Sequence, residues 1–217
     1  MSFQSKTLVT GAAVYFALSS AAFAGAISWD LTGSPTTAHT FNVTSTNGLL
    51  SVEFTGWTGL PGSSADISRN LVGFGVVGGS EAQIDNANST ILEFIAIKAP
   101  VGGWQDIVLG IAAINTAEQF IVFGSATADA SLFGPGNLEN LFGPGAQIAG
   151  GPSEPDFYSL PVSASNWAYI IVGVGTGEVA SGFRIASVDA NVPEPGTLFL
   201  IGTALAGLGL MRRRRAR

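Results

Sequence analysis

Glu81, Asp85, Asn86 and Asn88 stand within eight residues of one another, behind Gly78-Gly79 and ahead of Ser89. Hard oxygen ligands on a glycine-bearing turn suit Ca²⁺, which takes roughly six to eight oxygens. The spacing is not that of an EF-hand loop, which alternates its ligands around a central Gly and closes on a Glu. An Asx-type turn, whose side chains cap the backbone, accounts for the same residues without an ion. No cofactor is therefore expected, with Ca²⁺ at this cluster as the one exception. Trp57 in Gly56-Trp57-Thr58-Gly59 and Trp104 in Gly102-Gly103-Trp104-Gln105 lie in turn-like settings where an indole face can stack on a sugar. Core packing or the plugging of a strand end is the default reading for both.

Other chemistry is poorly supported. The chain has no cysteine, which excludes thiolate catalysis, thiolate zinc sites and disulfides. Its single histidine, His39, falls in the Thr- and Ser-rich stretch 34–40 and reads as an exposed loop residue. No serine occupies a nucleophile elbow. No motif selects a carboxylate pair for glycoside hydrolysis, and no glycine pair opens a helix to hold a nucleotide. The expectation is a protein that is not an enzyme.

The elements that must position these residues read as strands. Short runs rich in Val, Ile and Phe alternate with Gly, Asn, Ser and Pro clusters, the pattern of an all-β domain. Strands are expected at 27–31, 40–44, 49–55, 70–77, 91–97, 106–113, 119–124, 167–174 and 182–189. Alternation is clearest in Leu50-Ser51-Val52-Glu53-Phe54-Thr55 and in Phe183-Arg184-Ile185-Ala186-Ser187-Val188, where one face is buried and the other wet. No amphipathic helix of three turns is visible. Nine short strands favour a single β-sandwich, jelly-roll-like, over a barrel. Residues 126–161 read as a loop-rich insertion. It repeats Leu-Phe-Gly-Pro-Gly at 132–136 and 141–145, either as two turns stapling a long loop or as a presented recognition loop.

Both ends differ from this body. Lys6 precedes an apolar run, Leu8 to Leu18, followed by small residues and Ala22-Phe23-Ala24. That order predicts a signal peptide over 1–24, with Ala22 and Ala24 as the small-x-small site for signal peptidase. At the other end Val192-Pro193-Glu194-Pro195-Gly196 leads into an apolar stretch, 197–211, and a basic tail, 212–217. The prolines fix φ and remove two donors, so the motif is expected to stay extended and accessible. Fifteen apolar residues reach about 22 Å as a helix, against ~30 Å of hydrocarbon. Local thinning and snorkelling arginines can cover that deficit and make the stretch a transmembrane helix. Five arginines in the last six residues hold the C-terminus on the cytoplasmic side.

The three-part C-terminus resembles the PEP-CTERM sorting signal of Gram-negative bacteria, the substrates of the membrane protease called exosortase. The resemblance implies export, transient anchoring in the inner membrane with the body periplasmic, cleavage near Pro193-Glu194-Pro195, and delivery to the cell surface or extracellular matrix, in association with exopolysaccharide. Gly73-Phe74-Gly75-Val76, Ile84-Asp85-Asn86, Glu93-Phe94 and Phe183-Arg184-Ile185 also look like segments found in other bodies carrying this tag. They imply a shared β-sandwich and no particular activity.

Between the targeting segments lies an ectodomain, 25–191, with three basic residues against fourteen acidic ones, a net of −11. Such a surface excludes nucleic acid as a partner. The expected partners are exosortase, signal peptidase and exopolysaccharide. A non-enzymatic surface or matrix protein is the first reading; a secreted carbohydrate-binding module, lectin-like and assisted by Ca²⁺, is the alternative.

Overall fold

The computed structural model describes residues 24–58, 63–77, 83–85, 93–113, 118–128, 138–148, 155–174 and 182–193. The expected signal peptide, transmembrane helix and basic tail lie outside these residues, as does the first Leu-Phe-Gly-Pro-Gly. The described chain is all-β. Its strands are β1 (Ala24–Asp30), β2 (Thr36–Ala38), β3 (Thr40–Thr44), β4 (Ser51–Thr58), β5 (Ser63–Arg69), β6 (Phe74–Val77) and β7 (Ile84–Asp85). They continue with β8 (Glu93–Lys98), β9 (Gln105–Ala113), β10 (Glu118–Ser125), β11 (Leu138–Ile148), β12 (Asp156–Ser159), β13 (Tyr169–Gly173) and β14 (Gly182–Pro193). Among the described residues the only helical element is a 3₁₀ turn at Val162–Asn166.

The strands join one curled sheet in the order β11-β10-β13-β8-β4-β5-β6-β14-β9-β12. Continuity comes from β5, which pairs with β4 through Ala65 and then with β6 from Asp66 to Arg69. The two halves fold over a common core. Phe54 of β4 meets Phe74 of β6 edge to face at 5.2 Å, and Phe120 of β10 meets Tyr158 of β12 at 4.6 Å. Trp29, Trp104, Phe54, Phe74, Phe120 and Phe183 are fully buried there, each contributing roughly 1.5–3 kcal/mol.

β5 was invisible to hydrophobic patterning because it offers the core one fully buried apolar side chain, Ile67, among serines, Asp66 and Arg69. The expected insertion is likewise not all loop, since β11 and β12 lie within it. The second Leu-Phe-Gly-Pro-Gly, read as a turn, runs along β11, the last strand of the path. Register there jumps from Phe120 opposite Ala146 to Val122 opposite Phe142, leaving Gly143-Pro144-Gly145 in a bulge. An edge bulge is where a residue without an N–H costs no ladder bond.

β8 explains how an acid enters the interior. Phe94 and Ala96 lie in a satellite cluster with Ile171, Trp57, Phe123 and Tyr169, while Ile95 and Ile97 belong to the main core. Strand alternation places Glu93 on the same side as Ile95. Both faces are covered, so the strand reads as a continuous apolar run.

Candidate functional site at the paired chain ends

β14 is the longest strand and ends inside the proline motif. On one side β1 pairs with it from Asp30 opposite Ser187 to Ala24 opposite Pro193. On the other side β9 pairs with it as far as Asn191 opposite Gln105. Alternate residues of β14, Val188, Ala190 and Val192, are buried with Ile27 and Trp29 of β1. Asn191 Nδ2 donates to Asp106 Oδ2 at 2.8 Å, which ties the end of β14 to β9. Asp106 has a left-handed φ of 49°, a conformation that Asp tolerates better than most residues.

The expectation that the whole motif is accessible is corrected at its first residue. Val192 is 2 % exposed and sits in the ladder opposite Gly25, because its side chain falls on the core face of an alternating strand. Pro193 closes the strand, opposite Ala24. Glu194, Pro195 and Gly196 lie outside the described residues, as does Ala22. The residue before the expected signal-peptidase cut and the first proline of the sorting motif are therefore strand partners. Nothing local in either segment signals this; it follows from which strands pair.

Of the expected oxygen cluster only Asp85 is described; Glu81, Asn86 and Asn88 fall outside. Asp85 is joined by two residues not foreseen, Gln83 and Glu93, and all three are buried. The Asp85 N–H donates to Glu93 Oε2 at 3.0 Å, and Gln83 Nε2 donates weakly to Asp85 Oδ2 at 3.4 Å. Burial, and then the neighbouring Asp85 charge and hydrogen bond, push the Glu93 carboxyl up to about 8, although the Asp85 N–H acts against the shift. Glu93 could have been found from its inward parity in Glu93-Phe94-Ile95-Ala96-Ile97. Among the described residues no three His, Cys, Asp or Glu side chains gather to hold a metal.

The tryptophans part company. Trp104 is 2 % exposed and packs in the main core, so its ring offers no face to a sugar; the glycines before it form a turn that folds the indole inward. Trp57 is partly exposed on the opposite face of the sheet. Its ring lies parallel to Phe94 at 6.4 Å and edge-on to His39 at 5.9 Å, with Nε1 donating to Thr55 Oγ1. His39 is not a free loop residue: it is half-buried, with Nδ1 2.8 Å from Ala65 O. Arg184 is buried as well, donating from Nη1 to the carbonyls of Ser68 and Gly73, and desolvation lowers its pKa. It braces the β5–β6 corner from β14.

An all-β body whose last strand delivers a proline motif, an apolar stretch and a basic tail defines the class of proteins that carry a C-terminal sorting signal. The family model for the PEP-CTERM protein-sorting motif matches residues 191–215. The chain carries this sorting motif at its C-terminal end, and the motif implies export, anchoring by the C-terminus and processing by exosortase. Neither the curated proteins nor the solved structures give a match. Among the described residues no helix is long and apolar enough to cross a membrane; the apolar stretch 197–211 lies beyond them.

Proposed function

We propose that this chain is a non-enzymatic protein of the cell surface or extracellular matrix, associated with exopolysaccharide or a biofilm matrix. After signal peptidase removes residues 1–24, the body lies in the periplasm and the arginine tail stays in the cytoplasm until exosortase acts. The observation that carries this reading is the sorting motif at 191–215. The acidic body, with fourteen carboxylates against three basic residues, supports it by favouring solubility over adhesion to anionic lipid or nucleic acid. Replacing Pro193-Glu194-Pro195 with three alanines tests it. Full-length protein should then accumulate in the inner membrane; unchanged release overturns the reading.

The alternative, a carbohydrate-binding module, keeps one supporting observation. Trp57 presents a partly exposed indole held in place by Thr55, His39 and Phe94, and such fixed aromatic faces suit sugar stacking. A glycan array run with and without chelator decides it, and binding that survives Trp57→Ala would remove this residue from consideration.

A further inference from the structure

We propose that Gln83, Asp85 and Glu93 form an internal Ca²⁺ site at the junction of β7, β8 and β14. The site differs from the turn suggested by the sequence: two of its three residues were not in that set, and its oxygens come from inside the fold. It does not depend on the matrix reading.

Three observations meet here. First, two carboxylates are buried side by side, Asp85 at 6 % exposure and Glu93 at 1 %. The Asp85 N–H donates to Glu93 Oε2, which holds the Glu93 carboxyl against the Asp85 backbone, and the two side chains also share a hydrogen bond. Second, Gln83 is 9 % exposed, and its amide reaches the Asp85 carboxylate through Nε2, yet its Oε1 has no hydrogen-bond partner. A buried carbonyl oxygen without a donor is costly, and a cation held beside the carboxylates would satisfy it. Third, the fold leaves room for that amide. A Cβ at Gly182, which pairs with Asp85 across β7 and β14, would overlap the Gln83 amide.

Among the described residues no basic side chain is set against Glu93. The three basic residues of the body are engaged elsewhere: Arg69 with Thr32 O, Lys98 with Glu53, and Arg184 with the Ser68 and Gly73 carbonyls. An all-oxygen set of two carboxylates and one amide suits a hard cation and disfavours thiophilic ones. Ca²⁺ fits best because it accepts irregular geometry at roughly 2.3–2.6 Å and completes its shell with water and backbone carbonyls. The ion would pin the short β7 to β8 and β14, closing one end of the curled sheet.

The test uses the full-length chain in mild detergent, stripped with chelator and titrated with CaCl₂ by calorimetry and by thermal melting. One ion per chain should bind, with a Kd in the range of about 10⁻⁴ to 10⁻³ M or tighter, and raise the melting temperature. Asp85→Asn and Glu93→Gln, both close in shape to the native residues, should each weaken binding at least tenfold. Glu53→Gln, which removes an acid paired with Lys98 on the outer face, should leave binding unchanged. No saturable Ca²⁺ binding by the stripped protein overturns the proposal. So does binding that is equal in the Asp85 and Glu93 variants, which would place the ion elsewhere on the acidic body. If one variant fails to fold, the other decides.

Discussion

Glu93→Gln should make the ion-free protein more stable in mild alkali, and the size of the gain follows from the structure. Glu93 is raised from 4.5 to about 8, chiefly by burial. Its unfolded form gives up the proton near 4.5, while the folded form keeps it until about 8. Between those values the native state binds more protons than the unfolded one, so stability falls as pH rises. The loss is absent below about 4.5 and complete above about 8. At ~1.4 kcal/mol per pH unit the full shift amounts to about 5 kcal/mol. This is an upper limit, because relaxation and water entry soften buried charge. For a body of this size, about 2–4 °C per kcal/mol makes that ceiling a fall of at most about 10–20 °C. Glutamine keeps the acceptor for the Asp85 N–H and cannot ionise. With chelator present, calorimetric melts at pH 5 and pH 8.5 should show the native chain losing stability across this range while Glu93→Gln stays nearly level. Equal slopes for the two proteins would refute the assignment of the buried charge.

Replacing Ala26 and Asn191, strand partners in β1 and β14, with cysteines should give an oxidised form that resists exosortase and a reduced form that is processed. Only Glu194–Gly196, at most about 10 Å of chain, separates the end of β14 from the apolar stretch, so the protease needs the strand end to peel away; equal processing in both states would count against this. Gly73→Ala should cost about 2–4 kcal/mol in denaturant titration, because Gly73 holds φ +138° and a Cβ would overlap the Ile185 carbonyl. Adding CaCl₂ at pH 8 should restore part of the melting temperature lost to the Glu93 charge, and removing it with chelator should reverse the gain.

Much of the fold was legible in the sequence wherever burial follows a simple period. Thr40–Thr44 appears as expected, and β9 and β10 differ from expectation by a residue at their ends, since alternating or continuous apolar runs record which faces are covered. Legibility failed where a strand is held by backbone pairing more than by its side chains. β5 is polar, β7 has two residues, and β11 contains Gly-Pro-Gly, which propensity assigns to a turn. For Trp104 the sequence leaves sugar stacking open beside core packing for a related reason. The glycines before it signal a turn, but a turn does not say whether the next side chain points into the core.

The all-β class of the body and the sorting signal can both be read along the chain. An order of short rigid motif, apolar stretch and basic tail is a linear code, and so is strand alternation; neither needs a partner element to be read. That both ends of the body meet in one ladder, Ala24 opposite Pro193, follows from the folding of the sheet alone. The tertiary structure also decided that Asp85 belongs with Glu93 and Gln83, and that one sheet curls around the core. Those are contacts between segments far apart in the chain. They depend on which strand edges pair, and a periodic sequence fixes the faces of its strands without fixing the order of their edges.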